Sequence, residues 1–356
     1  MTYPQHLAGL YDSMRRDLAA DGQPAQLYTL TNQAGMTATL MDIGATWISC
    51  TLPVDDEHRE VVLGCATLAD FQQQSAYMGA TVGRYANRLA NGQFTIDGTA
   101  YQVAVNQAGN TLHGGPAGFH QRRWLVDELS DSHVVFALHS EDGDQGFPGQ
   151  LSATVTFTLT DDNALTIHYD ATCDKACPVN FTNHAYFNLA GAEQGSDCLS
   201  HTLTITADAF VPTNAVGIPL GEWKAVTGTG FDFQTPKTIG QDFLKDDEQQ
   251  LAKGYDHAFV LSPSVTDGQT VAMQAVSPDQ RITMAVMTTK PAVQLYTGNY
   301  LGGNPSRSGT YQAYQGFCLE TEYLPDAPNH PEWPHQAILR TGERYQHNTT
   351  YQFTLA

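Results

Sequence analysis

In Leu151-Ser152-Ala153-Thr154-Val155-Thr156-Phe157-Thr158-Leu159 every odd-numbered residue is apolar and every even-numbered one is Ser or Thr. A period of two with β-branched polar partners describes a strand that buries one face and wets the other. After Asp161-Asp162-Asn163 the alternation resumes at Leu165, Ile167 and Tyr169, which reads as a hairpin closed by turn-forming residues. Working outward, the same pattern recurs at Met36-Ala38-Leu40, Leu203-Ile205, Ile282-Met284-Val286 and Tyr351-Phe353-Leu355. Strands thus run from end to end, separated by Gly, Asn, Asp and Pro. Helical periods are short: residues 5–20 read as one brief helix and Gln241 to Ala252 as another. The expectation is an all-β chain of stacked sheets with few short helices. No composition shift or linker divides residues 1–356, so a single domain is expected, with residues 1–25 as an N-terminal extension.

Composition narrows the function classes. The 356 residues carry 17 Lys plus Arg against 37 Asp plus Glu, a formal charge of −20. Such a surface repels phosphate backbones and anionic lipid, so neither nucleic acid nor membrane is an expected partner. Charged residues make up only 15% of the chain, against about 25% in typical soluble domains, which speaks against a helical bundle. There is no basic segment leading into an apolar stretch at Met1 to Leu10, and no apolar run long enough to span a bilayer. A cytoplasmic protein, monomer or homodimer, is expected. Of the six cysteines, Cys50 and Cys65 sit in apolar segments and read as buried thiols; Cys173 and Cys177 lack the second pair that a zinc site needs.

Five polar constellations interrupt the apolar pattern. Gly83-Arg84-Tyr85-Ala86-Asn87-Arg88-Leu89-Ala90-Asn91-Gly92 offers two guanidiniums and two amides. They suit either a polar ligand or a turn whose carbonyls need donors. Asn110-Thr111-Leu112-His113-Gly114-Gly115 sets an imidazole beside paired glycines that permit close backbone approach. Asn180-Phe181-Thr182-Asn183-His184-Ala185-Tyr186-Phe187 surrounds a His with amide, hydroxyl and aromatic groups, a fit environment for an acid or base. Tyr255-Asp256-His257 and Gln294-Leu295-Tyr296-Thr297-Gly298-Asn299 offer an acceptor and a carboxamide for vicinal hydroxyls. Finally, Gly316-Phe317-Cys318-Leu319-Glu320-Thr321-Glu322 places two carboxylates after an apolar run. A buried carboxylate without a charge partner is a better base near neutrality. On one strand Glu320 and Glu322 would stand roughly 7 Å apart, which does not flank a glycosidic bond from two sides. A solvated strand edge is the plainer reading, and fits Glu322 better than Glu320.

Taken together and in this order, these segments resemble the aldose 1-epimerase family, in its bacterial galactose mutarotase branch. The likeness runs from Tyr28 to Phe353 and takes in Asp142-Gly143-Asp144-Gln145-Gly146-Phe147-Pro148-Gly149 and Leu339-Arg340-Thr341-Gly342-Glu343-Arg344-Tyr345. The resemblance implies a β-supersandwich with an open cleft, no metal and no organic cofactor. It implies interconversion of the α and β anomers of free hexoses, galactose first and glucose second. By position in the motifs, the general base falls on Glu320 and the general acid on His184. Sugar-binding roles fall on Asn87, Arg88, His113, Asp256 and Gln294. Many relatives carry Gln where this chain has Glu322. The same residues leave three other readings to weigh: a sugar-binding module, a glycoside hydrolase, and an epimerase for hexose 6-phosphates, the last disfavoured by the scarcity of Lys and Arg.

Overall fold

The computed structural model describes residues 7–55 and 57–356. Among these, the widest sheet has nine strands in the order Leu125–Leu129, His133–Ser140, Leu151–Leu159, Ala164–Cys173, Tyr345–Leu355, Ile282–Thr288, Val271–Val276, Thr202–Ile205 and Lys237–Thr238. Every neighbouring pair is antiparallel. The alternating stretch lies inside it as expected, its odd-numbered residues buried and its even-numbered ones partly or fully exposed. Leu151 faces Cys173 and Leu159 faces Leu165. The turn closes with the Thr160 N–H donating to Ala164 O at 2.9 Å. Asn163 takes φ +58° there, a left-handed conformation that Asn tolerates better than most residues, and its Oδ1 accepts from Asn32 Nδ2 at 2.8 Å. The last strand, Tyr345–Leu355, is not at an edge. It inserts between Ala164–Cys173 and Ile282–Thr288, so pairings across nearly 200 residues close the sheet's middle.

A second sheet has five strands in the order Lys224–Ala225, Ala207–Phe210, Asp256–Leu261, Ala292–Tyr296 and Cys318–Glu322, and a third has four, from Leu27–Thr31 to Glu57–Glu60. Their inner faces share one apolar core that draws side chains from Leu30 to Phe353. At its centre the Trp47 ring meets Phe187 at 5.6 Å and Tyr351 at 5.5 Å. All six cysteines are free and buried, Cys50 and Cys65 as expected. No described helix is long and apolar enough to cross a membrane.

The helices are shorter than the sequence suggests. Within the expected 5–20 segment the helix is Ala8–Arg16; residues 5 and 6 lie outside the described part. From Gln241 to Ala252 only Asp247–Ala252 is helical. The preceding carboxylates are engaged elsewhere: Asp242 accepts from Lys237 Nζ at 2.9 Å and Asp246 from Gly230 N at 2.7 Å. Leu244 takes φ +59°, so the helix starts only after them. A third helix, Leu68–Gln73, went unread, although its cap carries a signal: Thr67 Oγ1 accepts from Asp70 N at 3.1 Å, the Thr-x-x-acid pattern of a helix start.

Candidate active site

The five-stranded sheet carries three of the expected residues. Its register sets Gln294 directly opposite Glu320, and Asp256 opposite Tyr296 on the other side of the same strand, Ala292–Tyr296. Cys318–Glu322 ends the sheet, yet all five of its residues are buried, because other segments cover it. One of these presents His184. Thr182–Asn183 pairs with Thr81–Val82, His184 N donates to Ala80 O at 2.9 Å, and Asn183 Nδ2 donates to Gly79 O at 2.7 Å. The backbone is thereby fixed on both sides of the ring. His184 Nε2 lies 3.6 Å from Glu320 Oε2.

Asn87, Arg88 and His113 come from two segments that lock together. Arg88 faces Leu112 across a short ladder. His113 N donates to Asn87 O at 2.9 Å, and Asn87 N donates to His113 Nδ1 at 3.1 Å. Asn87 and His113 take φ +60° and +50°, strained values that persist where neighbours over-determine the backbone. Gly114 next to them has no room for a side chain: a Cβ there would sit 1.8 Å from Gly83 O.

All seven expected residues line one cleft of about 170 Å³, with Tyr77, Gln107, Tyr186, Tyr296 and Tyr300 completing its wall. A polar chain runs along it. Gln294 Nε2 donates to Asp256 Oδ1 at 2.7 Å, Asp256 Oδ2 stands 4.0 Å from Arg88 Nη2, and Arg88 Nε donates to Gln107 Oε1 at 2.8 Å. Glu320 Oε2 and Gln294 Oε1 are buried and make no hydrogen bond among the described residues. Such acceptors are costly to bury unless a ligand's donors meet them.

Burial disfavours charge at the facing pair. It holds His184 down at about 4 and pushes the Glu320 carboxyl well above its usual range, helped by the negative charges of Glu322 and Asp256 and opposed by Arg88. His113 is likewise held well below the usual imidazole range by burial. The imidazoles therefore act as neutral rings, and their partners settle the tautomers. Asn87 N–H donates to His113 Nδ1, which puts the ring proton on Nε2. For His184, Nδ1 faces the Cys318 thiol at 3.5 Å, again favouring a proton on Nε2, the nitrogen turned to Glu320. His113, His184 and Glu320 also bring potential metal-ligand atoms within 4.8 Å of one another. A metal needs a lone pair where His113 carries its proton, so this set is built to donate hydrogen bonds rather than to chelate.

One expectation needs correction and another is divided. Glu322 is no solvated edge: it is 0% exposed, with Oε1 accepting from Asn87 Nδ2 at 2.9 Å. The strand is terminal in its sheet, but Asn87 and the segments around it cover that edge. The two readings of the arginine-rich segment, ligand or turn, turn out to apply to one arginine each. Arg84 is fully buried and donates to Pro148 O, Gly149 O, Ser140 O, Ser140 Oγ and Glu141 O at 2.8–3.1 Å; Arg88 faces the cleft. The tyrosines of the wall went unassigned. Tyr186 and Tyr296 stand two residues after His184 and Gln294, the spacing of one face of an extended chain, and that signal could have found them. Tyr186 stacks on the His184 ring at 5.0 Å. Tyr77 occupies a turn with φ +55° and left no pattern to read.

A β-sandwich cleft with a facing carboxyl and imidazole, ringed by amides, a guanidinium and tyrosines, defines an acid–base site for a neutral, hydroxyl-rich molecule. Comparison with known proteins makes the class specific: the model of the aldose 1-epimerase family matches residues 26–352. The chain is 53% identical over 340 residues to the aldose 1-epimerase of Escherichia coli K12, covering 94% of this chain and 97% of that one. It is 43% identical over 300 residues to the galactose mutarotase of Rattus norvegicus, covering 83% and 84%. A crystal structure of an aldose epimerase homologue from C. elegans superposes with a TM-score of 0.83 at 30% identity, covering 93% of this chain and 99% of that one. The chain belongs to the aldose 1-epimerase family.

Proposed function

We propose that this protein is an aldose 1-epimerase that interconverts the α and β anomers of free hexoses, with galactose favoured and glucose accepted, and that residues 1–356 act as one domain. The carrying observation is the buried pair His184 Nε2 and Glu320 Oε2 at 3.6 Å within a cleft lined by hydroxyl-binding groups. Relatives at up to 53% identity carry the names aldose 1-epimerase and galactose mutarotase, which supports the same activity here.

Glu320 is the base: it removes the proton from the C1 hydroxyl. His184 is the acid: it delivers a proton to the ring oxygen as the C1–O5 bond opens to the aldehyde. Rotation about C1–C2 presents the other carbonyl face. His184 then takes the proton from the C5 hydroxyl while Glu320 returns its own to the carbonyl oxygen, and both groups end as they began. The step begins from a carboxylate and an imidazolium, which hold the same single proton as a carboxyl and a neutral imidazole. Sugar hydroxyls and Arg88 solvate the carboxylate and so move that proton to His184 without exchange with solvent. General acid–base catalysis supplies about 10²–10⁴-fold per group, and positioning adds to it. Asn87, Arg88, His113, Asp256 and Gln294 hold the ring hydroxyls while C1 turns.

Polarimetry of freshly dissolved α-D-galactose, with chelator present and no added cofactor, tests the reading. Faster approach to the unchanged final rotation is the expected result. Absence of acceleration with galactose, glucose and other free aldoses would reject it.

A further inference from the structure

The strand of Glu320 runs on into Leu324-Pro325-Asp326-Ala327-Pro328-Asn329, a turn that the proposed chemistry does not use. None of these six residues lines the cleft, yet the turn is stitched to the arginine-rich segment that does. Asp326 is 3% exposed and takes φ +58°. Its N–H donates to Arg88 O at 2.8 Å, and its Oδ1 accepts from Ala90 N at 2.9 Å. One residue thus grips the chain on both sides of Leu89. Asn329 Nδ2 holds the carboxylate in turn, donating to Oδ1 at 2.6 Å and to Gln93 O at 2.8 Å. A second stitch lies just before Arg88: Tyr85 Oη donates to Leu324 O at 2.9 Å and accepts from Ala327 N at 3.1 Å. The Arg88 side chain has little freedom of its own. Its Nε donates to Gln107 Oε1 at 2.8 Å, and Gly217 lies so close that a Cβ there would come within 2.6 Å of Cζ. With the guanidinium hemmed in, its place in the cleft follows from where its backbone is held.

We propose that Asp326 is the positioning residue for Arg88: its N–H and its carboxylate fix the backbone from which the guanidinium reaches the sugar-binding end of the cleft. The inference rests on the reading of Arg88 as sugar-binding. A buried carboxylate is costly unless hydrogen-bonded, and the bonds that offset the cost here are those to Ala90 N and Asn329 Nδ2. One continuous segment then carries the proposed base, Glu320, and six residues later the residue that sets the arginine. The spacing between proton transfer and sugar binding is thereby fixed within a single short stretch of chain.

A double-mutant cycle on Asp326→Gly and Arg88→Met tests this, read by the equilibrium Kd for galactose, by kcat and KM, and by Tm. Glycine adopts a positive φ without strain, so Asp326→Gly removes the carboxylate and keeps the N–H. Kd and KM should rise together by about tenfold, the scale of one lost hydrogen bond to a charged group, while kcat falls less because the sheet still holds Glu320. Asp326→Asn keeps an Oδ1 acceptor in a conformation that Asn tolerates, and should hold Kd within about twofold of wild type. With Arg88→Met in place, Asp326→Gly should no longer change Kd, although it still lowers Tm. Kd effects that simply multiply overturn the inference, as does an unchanged Kd in Asp326→Gly. Where Asp326→Gly does not fold, Asn329, which is exposed, carries the test as Asn329→Ala. A Kd raised about threefold with kcat kept then supports the role, and an unchanged Kd overturns it. The ¹⁵N resonance of Arg88 Nε reads the same coupling without substrate: it should shift in Asp326→Gly and hold in Asp326→Asn. No shift overturns the inference whatever the activity, whereas a wild-type protein that fails to accelerate mutarotation counts against the proposed function alone.

Discussion

Arg84 and Arg88 are four residues apart, and their surroundings are opposites. The two terminal nitrogens of Arg84 donate to five oxygens of the Ser140–Gly149 region, so the side chain clamps one loop to the segment leading into the cleft, and only its buried Nε makes no hydrogen bond among the described residues. The Arg88 guanidinium bonds only side chains of the cleft wall, Gln107 and Asn87, with Asp256 4.0 Å off, and beside it Glu320 Oε2 and Gln294 Oε1 make no hydrogen bond among the described residues. Donors turned onto fixed backbone oxygens serve stability; buried acceptors left short of partners inside a cleft are held ready for something else.

Substitutions can sharpen or break that contrast. The largest expected effect lies in the clamp. Arg84→Met leaves several buried acceptors without donors, at about 1–3 kcal/mol each, so urea unfolding should show most of the protein's stability lost. A stable, active Arg84→Met protein would break the comparison. In the cleft the balance reverses. Glu320→Gln should lower kcat about 10³-fold, within the usual range for a general base, while Tm holds or rises because a strained buried acid is gone. His184→Asn should behave alike. Arg88→Met should raise KM for galactose about tenfold, the scale of a lost charged hydrogen bond, with little change in Tm. Smallest is Cys318→Ala, which removes the thiol facing His184 Nδ1. It should lower kcat several-fold by letting the ring proton sample both nitrogens, a change visible in ¹⁵N spectra of the imidazole.

pH adds a further test. His120, His184, His201 and His257 are all held at about 4 by burial. Their unfolded counterparts titrate near 6.5, so the unfolded chain binds more protons in between, and stability present above 6.5 is lost as pH falls toward 4. Tm measured across that window should drop steeply. Turnover should fall on the acid side near 4, where the His184–Glu320 pair gains a second proton. On the alkaline side it should fall where Glu320, whose value is raised, gives up the shared one.

The sheets were legible because their pattern is local: alternation at 151–159 needs only its own residues to be read. The residues of the cleft were legible through their motifs, and the structure brings all seven together. What escaped depends on partners distant in sequence. Glu322 looked like an edge because nothing in its own strand announces Asn87, 235 residues earlier. Nor could the two arginines be told apart while the carbonyls that hold Arg84 lay more than fifty residues ahead. The helix expected at 241–252 came out short for a more local reason instead: Lys237 and Gly230, 5 and 16 residues upstream, claim its first carboxylates.

The placement of Glu320 in mid-strand, opposite Gln294, bears on how such a site can change over evolutionary time. A one-residue slip of Cys318–Glu322 would turn every side chain to the opposite face, so the placement of Glu320 tolerates no insertion or deletion on its own strand. Asn87, Arg88 and His113 hang instead on turns and two-residue ladders, where length can vary without disturbing the sheets. On the roles proposed above, ligand preference is free to drift at the rim, while the strand that sets Glu320 against Gln294 keeps its register.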